Sequence, residues 1–109
     1  MGNSLETKNM NAKLDTSNRD DVQLTVVQIL EDMTKDWEHG LTGPITAETG
    51  LMADLGFESI DMVMLIVAIE ERFGRKGFPF EQLFMTEGRY VEELSVGTVA
   101  EFLHRQLNG

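Results

Sequence analysis

The spacing of hydrophobic positions along the chain predicts helices. After a polar stretch covering residues 1–18, apolar residues recur at intervals of three and four, which places them on one face of a helix. The members of this first stripe are Val22, Val26, Ile29, Leu30, Met33 and Trp37. Ser17, Asn18 and Asp20 are available as N-caps. Gly40 and the Gly43-Pro44 pair are expected to end the helix.

A long connection over residues 38–58 separates this helix from the next, where loops have a median of about 4 to 6 residues. It is polar and contains glycine, but it carries apolar anchors at Ile45, Leu51, Leu55 and Phe57. We expect these anchors to hold the connection against the helices.

The second half of the chain contains three further helical patterns. Ser59 opens an apolar helix that runs to Phe73, where Gly74 and Gly77 stop it. Pro79 at a first helical position predicts a short helix near residues 80–85, followed by a loop at Gly88. Ser95 is a cap for a last helix, whose stripe is Val96, Val99, Ala100, Leu103 and Leu107. No stretch alternates as a strand does, so the predicted fold is an all-α bundle of three main helices and one short helix.

The length of 109 residues supports one small domain. We divide the chain into a disordered polar arm at residues 1–19 and a folded domain at residues 20–109. With no cysteine, the chain has neither disulfides nor thiolate metal sites. No apolar run approaches the ~20 residues of a membrane span. The expectation is a cytoplasmic monomer without stable membrane insertion.

The net charge of the chain indicates which classes of partner it is suited to bind. The formal net charge is −10, and residues 20–109 hold 6 bases against 17 acids. This excess repels phosphate backbones and anionic lipid surfaces, which argues against nucleic-acid binding. It favours basic protein partners, because complementary charge raises encounter rates.

The segment "DLGFESID", residues 54–61, places Ser59 between acids at the start of the apolar helix. A nucleophilic serine needs a base within hydrogen-bond reach. The two histidines do not supply one: His39 lies in the connection and His104 lies off the apolar stripe of the last helix. The chain also lacks a nucleophile elbow, a phosphate-binding glycine loop and a metal-ligand cluster. We therefore predict no catalytic residues, no metal site and no enzyme activity. A helix N-cap is an adequate structural role for Ser59.

A wider window adds a second role for this serine. Residues 45–74, "ITAETGLMADLGFESIDMVMLIVAIEERFG", resemble the acyl carrier protein family around its phosphopantetheine attachment serine. The matching positions are Asp54, Leu55, Gly56, Ser59, Asp61, Glu70, Glu71 and Phe73. Upstream, Ile45, Thr49 and Leu51 match the family's loop, and downstream "LSVGTVAEFL" resembles its last helix. The resemblance covers roughly residues 20–107.

The resemblance implies that a phosphopantetheinyl transferase attaches phosphopantetheine from coenzyme A to Ser59. The arm ends in a thiol that carries acyl groups as thioesters to partner enzymes of fatty acid, polyketide or related lipid synthesis. The implied partners are that transferase, an acyl-loading ligase or transacylase, and ketosynthase or acyltransferase enzymes. The implied partner-binding residues surround or follow the serine: Asp54, Glu58, Ile60, Asp61, Met62, Met64, Glu70 and Glu71.

Several features depart from the commonest fatty-acid carrier. Glu58 stands where an aspartate is usual, and Met62 and Met64 occupy positions that are often polar. Because residues 62–69 contain no polar side chain, some apolar surface should face outward, either as a partner-binding patch or under the extra residues nearby. The interval from Phe73 to Val96 is one or two helical turns longer than usual. Its Phe84, Met85 and Tyr90 would enlarge the core, line an acyl pocket or cover the methionines.

Two alternatives to an acyl carrier stay open from the sequence. An aminoacyl or peptidyl carrier shares the attachment serine, although "GFESID" has Phe57 in place of a second glycine and keeps Asp61. An acidic helical adaptor would keep the bundle without the modification, and Ser59 would then serve only as a helix cap.

Overall fold

The computed structural model describes residues 15–37 and 43–108. Within them lie four helices: α1 Arg19–Thr34, α2 Ser59–Phe73, α3 Glu81–Phe84 and α4 Val96–Asn108. The predicted all-α bundle of three main helices and one short helix is confirmed. Residues 1–14, which make up most of the predicted arm, and residues 38–42, with His39 and Gly40, lie outside the described residues. None of the helices described here has the length and apolarity to cross a bilayer.

Two of the predicted caps are formed. The side chain of Asn18 accepts hydrogen bonds from the backbone N–H groups of Asp20 at 2.9 Å and Asp21 at 3.3 Å, which fixes the start of α1. Ser95 Oγ accepts from the N–H of Thr98 at 3.1 Å and starts α4. Each bond satisfies a donor that has no partner inside its own helix.

The core lies where three amphipathic faces meet, because α1 packs against both α2 and α4. The predicted stripes of α1 and α4 are largely buried, with Met33 and Leu107 at their edge. The prediction that Trp37 belongs to the first helix was wrong, because α1 ends at Thr34; Trp37 packs against the core from the segment that follows. Phe102 is also buried, beside the predicted stripe of α4. On α2 the inward stripe consists of Met62, Leu65 and Ile69. These buried apolar side chains supply the main driving force for the bundle.

A small hairpin follows α3, where the sequence showed no strand. Its strands are β1 Met85–Thr86 and β2 Arg89–Tyr90, paired with Met85 opposite Tyr90 and Thr86 opposite Arg89. Glu87 and Gly88 form the turn, with φ of +53° and +80°. Positive φ at both positions is typical of the type I′ turn that suits two-residue hairpins. The sequence shows no alternation here because two-residue strands are too short to display it.

The connection before α2 is fixed to the segment before α4 by backbone hydrogen bonds. The N–H of Leu51 donates to the carbonyl of Leu94 at 2.8 Å, and the N–H of Val96 donates to Thr49 at 3.0 Å. The predicted anchors Leu51, Leu55 and Phe57 are buried, and Ile45 is half-buried. The expectation that this connection packs against the helices is confirmed.

Glu93 adds a long-range bond to this connection. Its carboxylate accepts the N–H groups of Met52 at 2.9 Å and Ala53 at 2.7 Å, which lie about 40 residues earlier in the chain. Gly50 leaves room for that carboxylate: a Cβ there would lie 2.5 Å from Oε1 of Glu93. The turn that leads to Ser59 therefore depends on a glycine and on a distant acid.

We expect Gly50→Ala to destabilise the protein by about 0.5–1.5 kcal/mol, because the Glu93 carboxylate must move and exchange its bonds to two exposed N–H groups for bonds to water. In a Glu93→Ala background the obstacle is gone, and Gly50→Ala should be neutral or slightly stabilising. Urea denaturation of the four proteins in this double-mutant cycle measures the coupling. Equal costs in both backgrounds would show that Glu93 does not hold this turn.

Candidate functional site

Ser59 is the first residue of α2 and is exposed to solvent. The N-cap position belongs to Glu58, which is extended with φ −111° and ψ 176°. The Asp61 carboxylate reaches back and accepts the N–H of Glu58 at 2.8 Å. The interpretation of Ser59 as the helix N-cap was therefore wrong by one residue. The hydroxyl is not needed to start the helix.

Two buried side chains explain why Ser59 faces outward. Phe57 and Met62, on either side of it, are only 6% and 8% exposed. Phe57 also contacts Trp37, with ring centroids 5.4 Å apart. Gly56, with φ of +73°, supplies the left-handed conformation that turns the chain into this position. With both flanks anchored in the core, the residues between them are held at the surface.

A cavity of about 180 Å³ lies directly beside Ser59. Its walls are mostly apolar and come from the connection, from α2, and from α3 with its hairpin: Met52, Phe57, Met62, Phe84, Tyr90 and Val91. Ser59 and Glu58 complete the lining. An exposed hydroxyl thus lies next to an apolar recess.

The structure separates the predicted partner-binding residues into two groups. The exposed group consists of Glu58, Ile60, Met64 and Glu71, and Asp61 is half-exposed at the helix start. The other group is used within the fold. Asp54 accepts the N–H of Gly50 at 2.7 Å, and Glu70 accepts the N–H of Gly77 at 3.0 Å. Met62 is buried.

The outer face of α2 is apolar as well. Ile60, Val63, Met64 and Val67 are between 49% and 62% exposed and follow helical spacing, so they form one outward stripe. The expectation that apolar surface faces outward from residues 62–69 is confirmed. Met64 belongs to this stripe, whereas Met62 belongs to the inward stripe with Leu65 and Ile69.

Two features of the site were missed by the sequence reasoning, and a third was anticipated only in part. Val63 and Val67 share the outward stripe, and their spacing from Ile60 was the available signal. An acyl pocket was one of the three roles expected for Phe84, Met85 and Tyr90. Phe84 and Tyr90 do line the cavity, whereas Met85 does not, and the hairpin that forms its outer wall was too short to predict. The bonds from Glu93 to Met52 and Ala53 carry no sequence signal, because they join positions about 40 residues apart.

The histidine that the structure describes is engaged away from Ser59. His104 Nε2 lies 3.1 Å from the carbonyl oxygen of Ser17, in the turn before α1. This contact ties the last helix to the start of the first. It gives His104 a structural role.

Comparison with protein families gives a match that covers most of the chain. The family model described as "phosphopantetheine attachment site" matches residues 25–95, well over half of the chain, and this range includes Ser59. Domains of this family are carriers that attach phosphopantetheine covalently. A comparison with curated proteins gave no match, and a comparison with solved structures gave none either.

Because Asp61 and not Ser59 supports the start of α2, their substitutions should differ in stability. Ser59→Ala should change the free energy of unfolding by less than about 0.5 kcal/mol, as at an ordinary surface position. Asp61→Ala should cost about 1 kcal/mol, since it removes the bond to Glu58 and a negative charge from a helix N-terminus. Urea denaturation measures both. If Ser59→Ala proves as costly as Asp61→Ala, the cap assignment is incorrect.

Proposed function

Because the chain belongs to the acyl carrier protein family, whose domains bear a covalent phosphopantetheine group, we propose that Ser59 is its attachment residue and that the arm carries acyl thioesters. The cargo would pass between enzymes of fatty acid, polyketide or related lipid synthesis. The observation that carries the assignment to Ser59 is its exposure at the first position of α2, where Glu58 and Asp61, and not the serine hydroxyl, form the helix start.

The start of α2 suits the product of attachment. In the transfer, the Ser59 oxygen bonds to a phosphorus of coenzyme A's pyrophosphate, the bond from that phosphorus to the nucleotide half breaks, and the serine proton leaves. The product is a phosphodiester with one negative charge. A helix N-terminus favours such a group through its free N–H groups and its dipole. The arm then supplies the thiol that this cysteine-free chain lacks.

The absence of a base from the attachment sequence is consistent with a carrier that is itself a substrate. The phosphopantetheinyl transferase would supply the group that removes the serine proton, and the acyl-processing enzymes would supply the groups that act on the thioester. The carrier contributes an accessible hydroxyl in a fixed position. Under this proposal the protein has no catalytic activity of its own.

The exposed acids near Ser59 support docking to basic partners. Glu58 lies next to the serine, and Glu71 lies twelve residues further along α2, or about 18 Å at 1.5 Å per residue. A partner that covers Ser59 can therefore also reach Glu71. Exposed ion pairs contribute about 0.2–1 kcal/mol each and act mainly on the association rate.

Attachment can be tested by incubating the full chain with coenzyme A and a broad-specificity phosphopantetheinyl transferase. We expect the intact mass to rise by one phosphopantetheine. Ser59→Ala should abolish the gain, whereas Ser17→Ala, at another exposed serine, should retain it. No gain in the unaltered chain, or a gain that persists in Ser59→Ala, would contradict the proposal and favour an unmodified adaptor.

The role of the acids can be tested by the same reaction under varied salt. Glu58→Gln and Glu71→Gln should each lower kcat/KM of the transferase by about two- to five-fold at low ionic strength, with a smaller loss at high salt. Glu101→Gln removes an equal charge on α4, where Glu101 pairs with Arg19 and Arg105, and should have little effect. Asp61 is unsuitable for this comparison because it also caps the helix. Equal losses in all three variants would indicate a response to net charge alone.

A further inference from the structure

The cavity beside Ser59 has a small, defined capacity. At about 180 Å³ it is slightly larger than the apolar cavities of about 150 Å³ that hold a benzene-sized molecule in other proteins. A bound group of about six carbons would fill it. Longer chains would require the walls to move or would extend through the open side of the cavity.

The inner wall of the cavity cannot recede easily, because an aromatic cluster fills the space behind it. Phe84 is buried and stacks on Phe80, with centroids 5.5 Å apart and an interplanar angle of 21°. Phe80 contacts Phe102 and Phe78 in turn, each with centroids 5.6 Å apart. Close-packed rings of this kind resist displacement. Phe84 therefore marks the depth of the cavity.

The outer wall is formed by the hairpin, which is fixed to the same phenylalanine. The N–H of Val91 donates to the carbonyl of Phe84 at 2.8 Å, where the chain leaves β2. Tyr90 borders the cavity while 70% of the residue stays exposed. The inner and outer walls are thus parts of one unit, residues 84–91.

We propose that this cavity holds the acyl end of the arm and selects a short, uncharged chain of about four to six carbons, with Phe84 setting the limit. The inference rests on the proposed attachment at Ser59. The apolar lining favours hydrocarbon over water. The Glu58 carboxylate at the lining opposes acyl groups that end in a free carboxylate. The arm must fold back toward Ser59 for its acyl end to enter.

Methionine methyl groups provide reporters for the test. Met52 and Met62 line the cavity, whereas Met33 and Met64 do not and serve as internal controls. The full chain, labelled with ¹³C at its methionine methyl groups, is loaded by a broad-specificity transferase from coenzyme A or its acyl thioesters, from acetyl to decanoyl. Intact mass confirms loading for each sample, and absence of the mass gain in Ser59→Ala assigns it to Ser59. NMR then records the methyl shifts of each loaded sample, including the arm without an acyl group, relative to the unloaded chain.

We expect the Met52 and Met62 methyl shifts to change progressively as the acyl chain lengthens to about hexanoyl, and then to reach a plateau. Met33 and Met64 should not respond. Phe84→Ala should move the plateau toward decanoyl. Phe78→Ala removes a ring of the same cluster that does not line the cavity, and should leave the plateau where it is. If either alanine variant does not fold, Phe84→Leu and Phe78→Leu provide the same comparison, with a smaller expected change in the chain length at the plateau.

The outcomes separate this inference from the proposed function. Loading at Ser59 without any acyl-dependent shift at Met52 and Met62 overturns the cavity proposal alone. A plateau that moves equally in the Phe84 and Phe78 variants overturns the assignment of the limit to Phe84. If the Met52 and Met62 methyl shifts reach their full size when the arm carries no acyl group, the cavity holds the arm itself and this proposal is overturned. Absence of loading at Ser59 overturns the proposed function and this inference together.

Discussion

Burial of Phe57 and Met62 is the constraint on which the geometry around Ser59 depends. Each of these side chains contributes about 1.5–3 kcal/mol by leaving water, and together they fix the chain on both sides of the serine. Asp61 completes the helix start, so α2 does not need the hydroxyl between the anchors as its cap. A residue that is held in place by its neighbours and is not needed as a cap remains available for chemistry supplied from outside.

Much of the fold could be predicted because its signals are local. Apolar spacing located the three main helices, and Asn18 and Ser95 were recognisable caps since their bonds reach only two or three residues. Distant contacts carried no such signal, as with the bonds of Glu93. The sequence did not distinguish Glu58 from Ser59 as the N-cap, because composition alone cannot locate the start of a helix to within one residue.

The site was predicted less completely, because nothing in the sequence distinguishes the roles of the acids near Ser59. The structure gives them separate tasks: Asp54 holds the turn at Gly50, Glu70 binds the turn at Gly77, and Asp61 caps α2. Asp61 was also the residue that made the motif resemble acyl rather than peptidyl carriers. Its cap now provides a reason for its presence that is independent of cargo.

The apolar outer face of α2 has a consequence for the behaviour of the protein in solution. The four exposed apolar side chains of this outward stripe form a surface through which copies of the same chain can associate. The net charge of −10 opposes that contact by mutual repulsion. Since the Debye length shortens from about 10 Å at 0.1 M salt to about 3 Å at 1 M, this protection weakens as ionic strength rises. Colloidal stability in this molecule is therefore an electrostatic property, strongest in dilute buffer.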